Sequence, residues 1–158
     1  MELPLLRIDD RLVHGQVLVG WAGALRPAHV VLASDEIAAD PVRRRIYAEL
    51  PGDGFEVGVL PLAEAAAALR AGGRLLVVCG SPADARRLLE LGCGLGRINL
   101  GGLRGPGRRE LLPYVFLTRQ DVEELQAILA RGVGVEARDL PGSRSVPLEA
   151  AHLGRLWD

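Results

Sequence analysis

The sequence predicts a three-layer α/β/α domain built on a mainly parallel sheet of about seven strands, with one antiparallel edge strand. Three observations lead there. Short β-branched runs alternate with helical patterns almost throughout, the arrangement of a parallel sheet covered on both faces. Several helices begin at a capping side chain or end at a glycine, so their limits can be read directly. The length of 158 residues suits one domain spanning 1–158, large enough to bury roughly 68–70% of its unfolded surface.

The elements follow in order. A strand at 4–8 (PLLRI) leads into a helix near 15–25, and a second strand occupies 28–33 (AHVVLA). Asp40 before Pro41 places a capping carboxylate ahead of proline at the first helical position, which starts a helix over 41–50. A strand at 55–60 precedes a helix at 62–71, whose AEAAAALRA segment has high helix propensity and which stops at Gly72. The strand at 74–79 (RLLVVC) ends at another cap, Ser81 before Pro82, for a helix over 82–91. After a strand at 97–100 (RINL), the Gly/Arg-rich connection 101–112 shows no convincing long helix. The strand at 113–117 (PYVFL) is therefore expected to run antiparallel at an edge. Thr118 with Asp121 resembles a capping box for a helix at 119–131, closed by Gly132. A strand at 133–138 and a helix at 148–156 complete the chain.

Composition narrows the functional classes. The formal net charge of −1 gives no electrostatic basis for nucleic-acid or membrane-surface binding. Cys79 and Cys93 lack CxxC spacing and a neighbouring histidine, so a metal site is not expected and free thiols are the reading. The first ten residues have neither a basic n-region nor an adequate apolar h-region, and no apolar run approaches the ~20 residues of a membrane span. A cytoplasmic location is the expectation. No GxGxxG follows a strand, no GxxxxGK, GxSxG or HExxH occurs, and the chain contains no lysine.

The segment Arg7-Ile8-Asp9-Asp10-Arg11-Leu12-Val13-His14-Gly15-Gln16-Val17 is the most informative. It lies where the first strand passes into the first helix, and open parallel sheets bind ligands beyond their strands' carboxyl ends. A neutral imidazole is a nucleophile toward phosphorus, with a reference pKa of about 6.5. Arg7 and Arg11 offer planar guanidinium forks suited to phosphate oxygens, and the amide of Gly15 could face an anion at the helix N-terminus. Asp9 and Asp10 would orient the arginines, hold one imidazole nitrogen or satisfy loop amides. Gly80 and Ser81 could face the same crevice, although an ordinary N-cap explains Ser81 equally well. Asp35, following another strand, is a candidate for the rim. Arg104, Arg108 and Arg109 could meet an acidic or phosphorylated partner, but solvated loop charges are the commoner case. Arg43, Arg44 and Arg45 read as a solvated helix face, His29 and His152 as incidental, and Trp21 as core.

The string closely resembles the phosphorylation-site segment of IIB subunits of the mannose/fructose/sorbose phosphotransferase family. The resemblance extends over nearly the whole chain: Ala33-Ser34-Asp35-Glu36 with Arg43, Ser81-Pro82-Ala83-Asp84, Ile98-Asn99-Leu100-Gly101-Gly102, and Gly132-Val133 leading to Glu136, Arg138 and Pro141. Leu103 stands where the family pattern has Met. The resemblance implies a sugar-transport transferase component that is phosphorylated on His14, at Nδ1, with Arg11 assisting transfer and Arg7, Asp10, Gly15, Gly80 and Ser81 around the phosphate. It implies a IIA domain or subunit as donor and membrane IIC/IID subunits as the sugar-holding acceptor and peripheral anchor, with no metal or organic cofactor. A regulatory phosphorelay without sugar transfer stays open, as does a homo-oligomer.

Overall fold

The computed structural model describes residues 1–158. Seven strands form the main sheet: β1 (Leu5–Ile8), β2 (His29–Ala33), β3 (Glu56–Leu60), β4 (Leu75–Cys79), β5 (Arg97–Leu100), β8 (Gly134–Ala137) and β9 (Val146–Pro147). Their order is β3-β2-β4-β1-β5-β8-β9, and every pairing is parallel except β8 with β9. The two remaining strands, β6 (Arg109–Leu112) and β7 (Val115–Leu117), make a separate antiparallel hairpin.

The period-two alternation of strand side chains divides the core into two layers. One face carries Leu6, Ile8, Val31, Val77, Ile98 and Val135 under α4 (Leu62–Ala71), α5 (Pro82–Glu90), α6 (Arg119–Ala130) and α7 (Ala150–Arg155). The other carries Leu5, Val30, Leu32, Leu76 and Val78 under the chain that follows β1. That chain is a π-helical segment, Gln16–Trp21, running directly into α1 (Ala22–Leu25). Val13, Val17 and Trp21 recur every fourth residue and are buried on this face, which suits the wider π turn. The two short helices α2 (Asp35–Ala38) and α3 (Pro41–Ala48) complete the layer. No helix is long and apolar enough to cross a membrane.

Local chemistry sets most boundaries. Asp40 accepts from the amides of Val42 and Arg43, Ser81 from Asp84, and Thr118 and Asp121 form a reciprocal capping box. Gly72 and Gly132 take φ of 82° and 83°, positive values that glycine adopts without a side-chain clash where α4 and α6 end.

Two expectations are corrected. The segment 113–117 is antiparallel, but its partner is Arg109–Leu112, and Pro113-Tyr114 forms the turn between them instead of beginning a strand. The antiparallel edge of the main sheet is the two-residue strand β9, whose proline sits where no further strand needs its missing amide donor. Two residues are too few to show periodicity, and β6 opens on the charged pair Arg109-Glu110, which hides its strand character. The four-residue helix α2, capped by Ser34, was likewise not expected.

Candidate functional site at the carboxyl edge of β1

The chain after β1 turns onto the π-helical face, whereas the chain after β4 enters α5 on the opposite face. Since β1 and β4 are neighbours, the loops part above them and leave a crevice, the topological switch point of an open parallel sheet. Residues 9–15 fill its floor. The amide of Asp9 donates to Cys79 O (2.9 Å) and that of Asp10 to Gly102 O (2.9 Å), which ties the loop to the ends of β4 and β5. Leu12 adopts φ of 63°, an unusual value for a bulky residue, and the amide of Leu12 closes a turn on Asp9 O at 3.0 Å.

Asp9 organises the site. The carboxylate is fully buried and its two oxygens meet three side chains. Oδ2 lies 3.3 Å from His14 Nε2 and 3.4 Å from Arg7 Nη2; Oδ1 accepts from the Arg11 amide at 3.1 Å and faces Arg11 Nε at 3.4 Å. A carboxylate offers only acceptors, so Nε2 of the neutral imidazole carries its hydrogen. The lone pair is then on Nδ1, toward which the Gln16 amide points at 3.3 Å. The imidazole is only 19% exposed, and desolvation lowers its pKa below 6.5. Asp9 opposes that shift, while Arg11 and Arg7 add to it. The geometry thus favours a neutral ring with Nε2–H on Asp9 and Nδ1 as an acceptor toward the Gln16 amide.

The expected site residues separate into those at the surface of the crevice and those beneath it. Arg11 is partly exposed and its Nη2 donates to Gln16 Oε1 at 2.8 Å, so it stands beside His14. No atom lies within 4 Å of where a β-carbon on Gly15 would project, which leaves the approach over the helix start open. Gly80 borders the loop, packed against the Leu12 side chain.

Four other candidate residues are engaged within the chain. Arg7 is 1% exposed and its guanidinium is committed to Asn99 Oδ1, Arg138 O, Asp139 O and Asp9 while lying 4.3 Å over the Trp21 ring. Burial lowers its pKa to about 10, so it remains a cation that supports Asp9 from below, out of reach of a surface phosphate. Asp10 turns to the Arg104 amide at 2.6 Å, fixing the neighbouring loop. The Ser81 hydroxyl is engaged as an N-cap. Asp35 likewise accepts from the Leu62 amide at 2.8 Å and anchors the start of α4.

Sequence reasoning gave no role to Gln16, Asn99 or the Asp139 carbonyl. Gln16 and Asn99 stand within strings already noted for their resemblance. Asn99 is the register partner of Arg7 on adjacent parallel strands, a relation that only the pairing of β1 with β5 creates. Nothing local marks Asp139, whose backbone oxygen serves both Arg7 and the Trp21 indole.

Fold and site together define a three-layer α/β domain that presents a carboxylate-held histidine, flanked by arginine, from the edge of a parallel sheet. The family model for the sorbose-subfamily IIB component of the phosphotransferase system (PTS) matches residues 3–154, and the chain belongs to that family. It is 29% identical over 150 residues to the fructose-specific EIIB component of Bacillus subtilis, covering 92% of each chain. It is 32% identical over 143 residues to the mannose-specific EIIAB component of Escherichia coli; the match takes in 87% of this chain but 44% of that protein. The crystal structure of the IIBSor domain of the Klebsiella pneumoniae sorbose permease superposes with a TM-score of 0.84 at 26% identity, covering 98% of both chains. By that membership the chain is a IIB component of the phosphotransferase system, and it spans less than half the length of the mannose-specific EIIAB relatives it matches.

Proposed function

We propose that the chain carries a phosphoryl group on Nδ1 of His14, taking it from a phosphohistidine on a IIA partner and giving it to a sugar held by membrane IIC/IID subunits. The observation that carries this reading is the Asp9 contact with Nε2, which puts the ring's lone pair on Nδ1, where only the Gln16 backbone amide meets it at 3.3 Å. In the accepting step the Nδ1 lone pair attacks phosphorus in line. A new N–P bond forms as the donor's N–P bond breaks, and the donor imidazole keeps the electron pair. Positive charge develops on the His14 ring, and the buried Asp9 carboxylate stabilises it through Nε2–H.

Arg11 and the Gln16 amide are placed to receive phosphoryl oxygens next to Nδ1. Gly15 lets the oxygens approach the backbone, and Gly80 lines the far side of the loop. In the donating step a sugar hydroxyl oxygen attacks phosphorus, the O–P bond forms as the His14 N–P bond breaks, Nδ1 recovers its electron pair, and the hydroxyl proton passes to water. Such transfer depends on position and charge more than on covalent assistance, so a shallow arginine-flanked site is sufficient machinery.

The test is intact mass after incubation with phosphoenolpyruvate, enzyme I, HPr and the IIA protein from the same genome. An acid-labile gain of one phosphoryl group is expected, and His14→Ala should show none. Stoichiometric phosphorylation of that variant would remove His14 from the reaction.

A further inference from the structure

The three arginines of the loop between β5 and β7 have different fates. Arg108 is tied to Asp121 at 2.8 Å and to Phe116 O at 3.1 Å. Arg109 lies 4.2 Å over the Trp157 ring and donates to Leu156 O. The guanidinium of Arg104 has neither a carboxylate within ion-pair distance nor a hydrogen-bond acceptor in the chain, though the residue is anchored through its backbone amide to Asp10. That anchor holds it beside the active loop, since Asp10 also binds Gly102 through its own amide.

Above Gly102 two guanidinium groups converge. The point where a β-carbon of Gly102 would stand lies 2.9 Å from Arg104 Nη1 and 3.6 Å from Arg11 Nη2. Gly102 contributes no side chain, and Arg11 shares only the buried Asp9 carboxylate with His14 and Arg7. Two cations brought this close, with no chain anion between their outer faces, form a receptor for an external anion with several oxygens. Arg11 reaches Gln16, and the Gln16 amide reaches His14 Nδ1, so the receptor adjoins the nitrogen that carries the group.

We propose that Arg104 is a second phosphate-binding arginine, which closes on the phosphoryl group of His14 from the side opposite Gln16 and together with Arg11 holds its oxygens during transfer. This rests on the reading of His14 as the carrier. As the bond to the leaving nitrogen lengthens and that to the incoming nitrogen forms, the negative charge is spread over the three phosphoryl oxygens, which a guanidinium fork matches in geometry and charge. The N–P bond chemistry is unchanged: His14 supplies and recovers the electron pair, and Arg104 neither gains nor loses a proton.

The experiment is single-turnover phosphoryl transfer from phosphorylated IIA to the full chain, with the lifetime of the phosphohistidine followed in parallel. Arg104→Ala should still be phosphorylated on His14, but at least about 10-fold more slowly, and Arg104→Lys should recover only part of the rate. Arg109→Ala removes a charge from the same loop outside the receptor and should leave the rate unchanged. An Arg104→Ala rate equal to wild type overturns the proposal, as does an equal loss in both alanine variants, which would mean a general effect of loop charge. Failure of the wild-type chain to accept phosphate would instead overturn the carrier reading itself.

Discussion

Asp9 brings a histidine and two arginines onto one buried carboxylate, and each partner changes what the others do. Arg7 neutralises the carboxylate from the core side, Arg11 from the loop, and His14 spends one ring nitrogen on it. Desolvation, with help from both arginines, keeps the ring neutral against the pull of Asp9. The folded pKa thus lies below the unfolded reference of about 6.5, so folding favours the neutral ring. The associated stability is complete above the unfolded value and is lost as pH falls through the folded one. Only the neutral ring can attack phosphorus, so if His14 is the proposed acceptor the rate of phosphoryl acceptance should fall on an acid limb centred below 6.5. Stopped transfer from pre-phosphorylated IIA across pH 5–8 reads this, and a limb centred at or above 6.5 would contradict the desolvated geometry.

At the scale of elements, the site depends on the close passage of the loop after β5 over β1. The amide of Gly101 donates to Ile8 O at 2.7 Å, and a β-carbon at Gly101 would overlap the guanidinium of Arg7. Gly101→Ala must push Arg7 away from Asn99 or lift the loop. Overpacking of this kind costs about 1–3 kcal/mol. A lowered urea midpoint is expected, together with slower phosphorylation, because the same movement disturbs Asp9. Unchanged stability would show that the loop can yield without cost. The π-helical segment has a related purpose: its wide turn keeps Val17 and Trp21 on the core face, while His14 precedes it at the rim.

Across the whole molecule, the C-terminal segment clasps elements distant in sequence. The Trp157 indole donates to Leu117 O, and Arg109 and Arg119 lie over its ring at 4.2 and 5.6 Å. It thereby joins the β6–β7 hairpin, the start of α6 and the chain end. Trp157→Ala should cost about 1–2 kcal/mol through lost apolar burial and cation–π contact. Amide exchange of Phe116 and Leu117 should speed up by more than that of β1 or β4. Uniform protection across the variant would mean that the clasp carries no local stability.

Much of this was written along the chain. The caps at Asp40, Ser81 and Thr118 and the glycines after α4 and α6 set helix limits from side-chain chemistry within a few residues, which is why these boundaries could be read directly. The RIDDRLVHGQV string likewise brought His14, Arg11 and Asp9 together because neighbours in sequence occupy one loop. Other features belong to tertiary structure. Whether Arg7 reaches solvent depends on its pairing with Asn99 across β1 and β5, and on a tryptophan fourteen positions onward that roofs it. Which of three similar arginines remains free was settled by Asp121 and Trp157, residues the loop meets only after folding. Local sequence determines where elements start and which groups they carry; burial, register and partnership arise only when distant segments exclude water from one another.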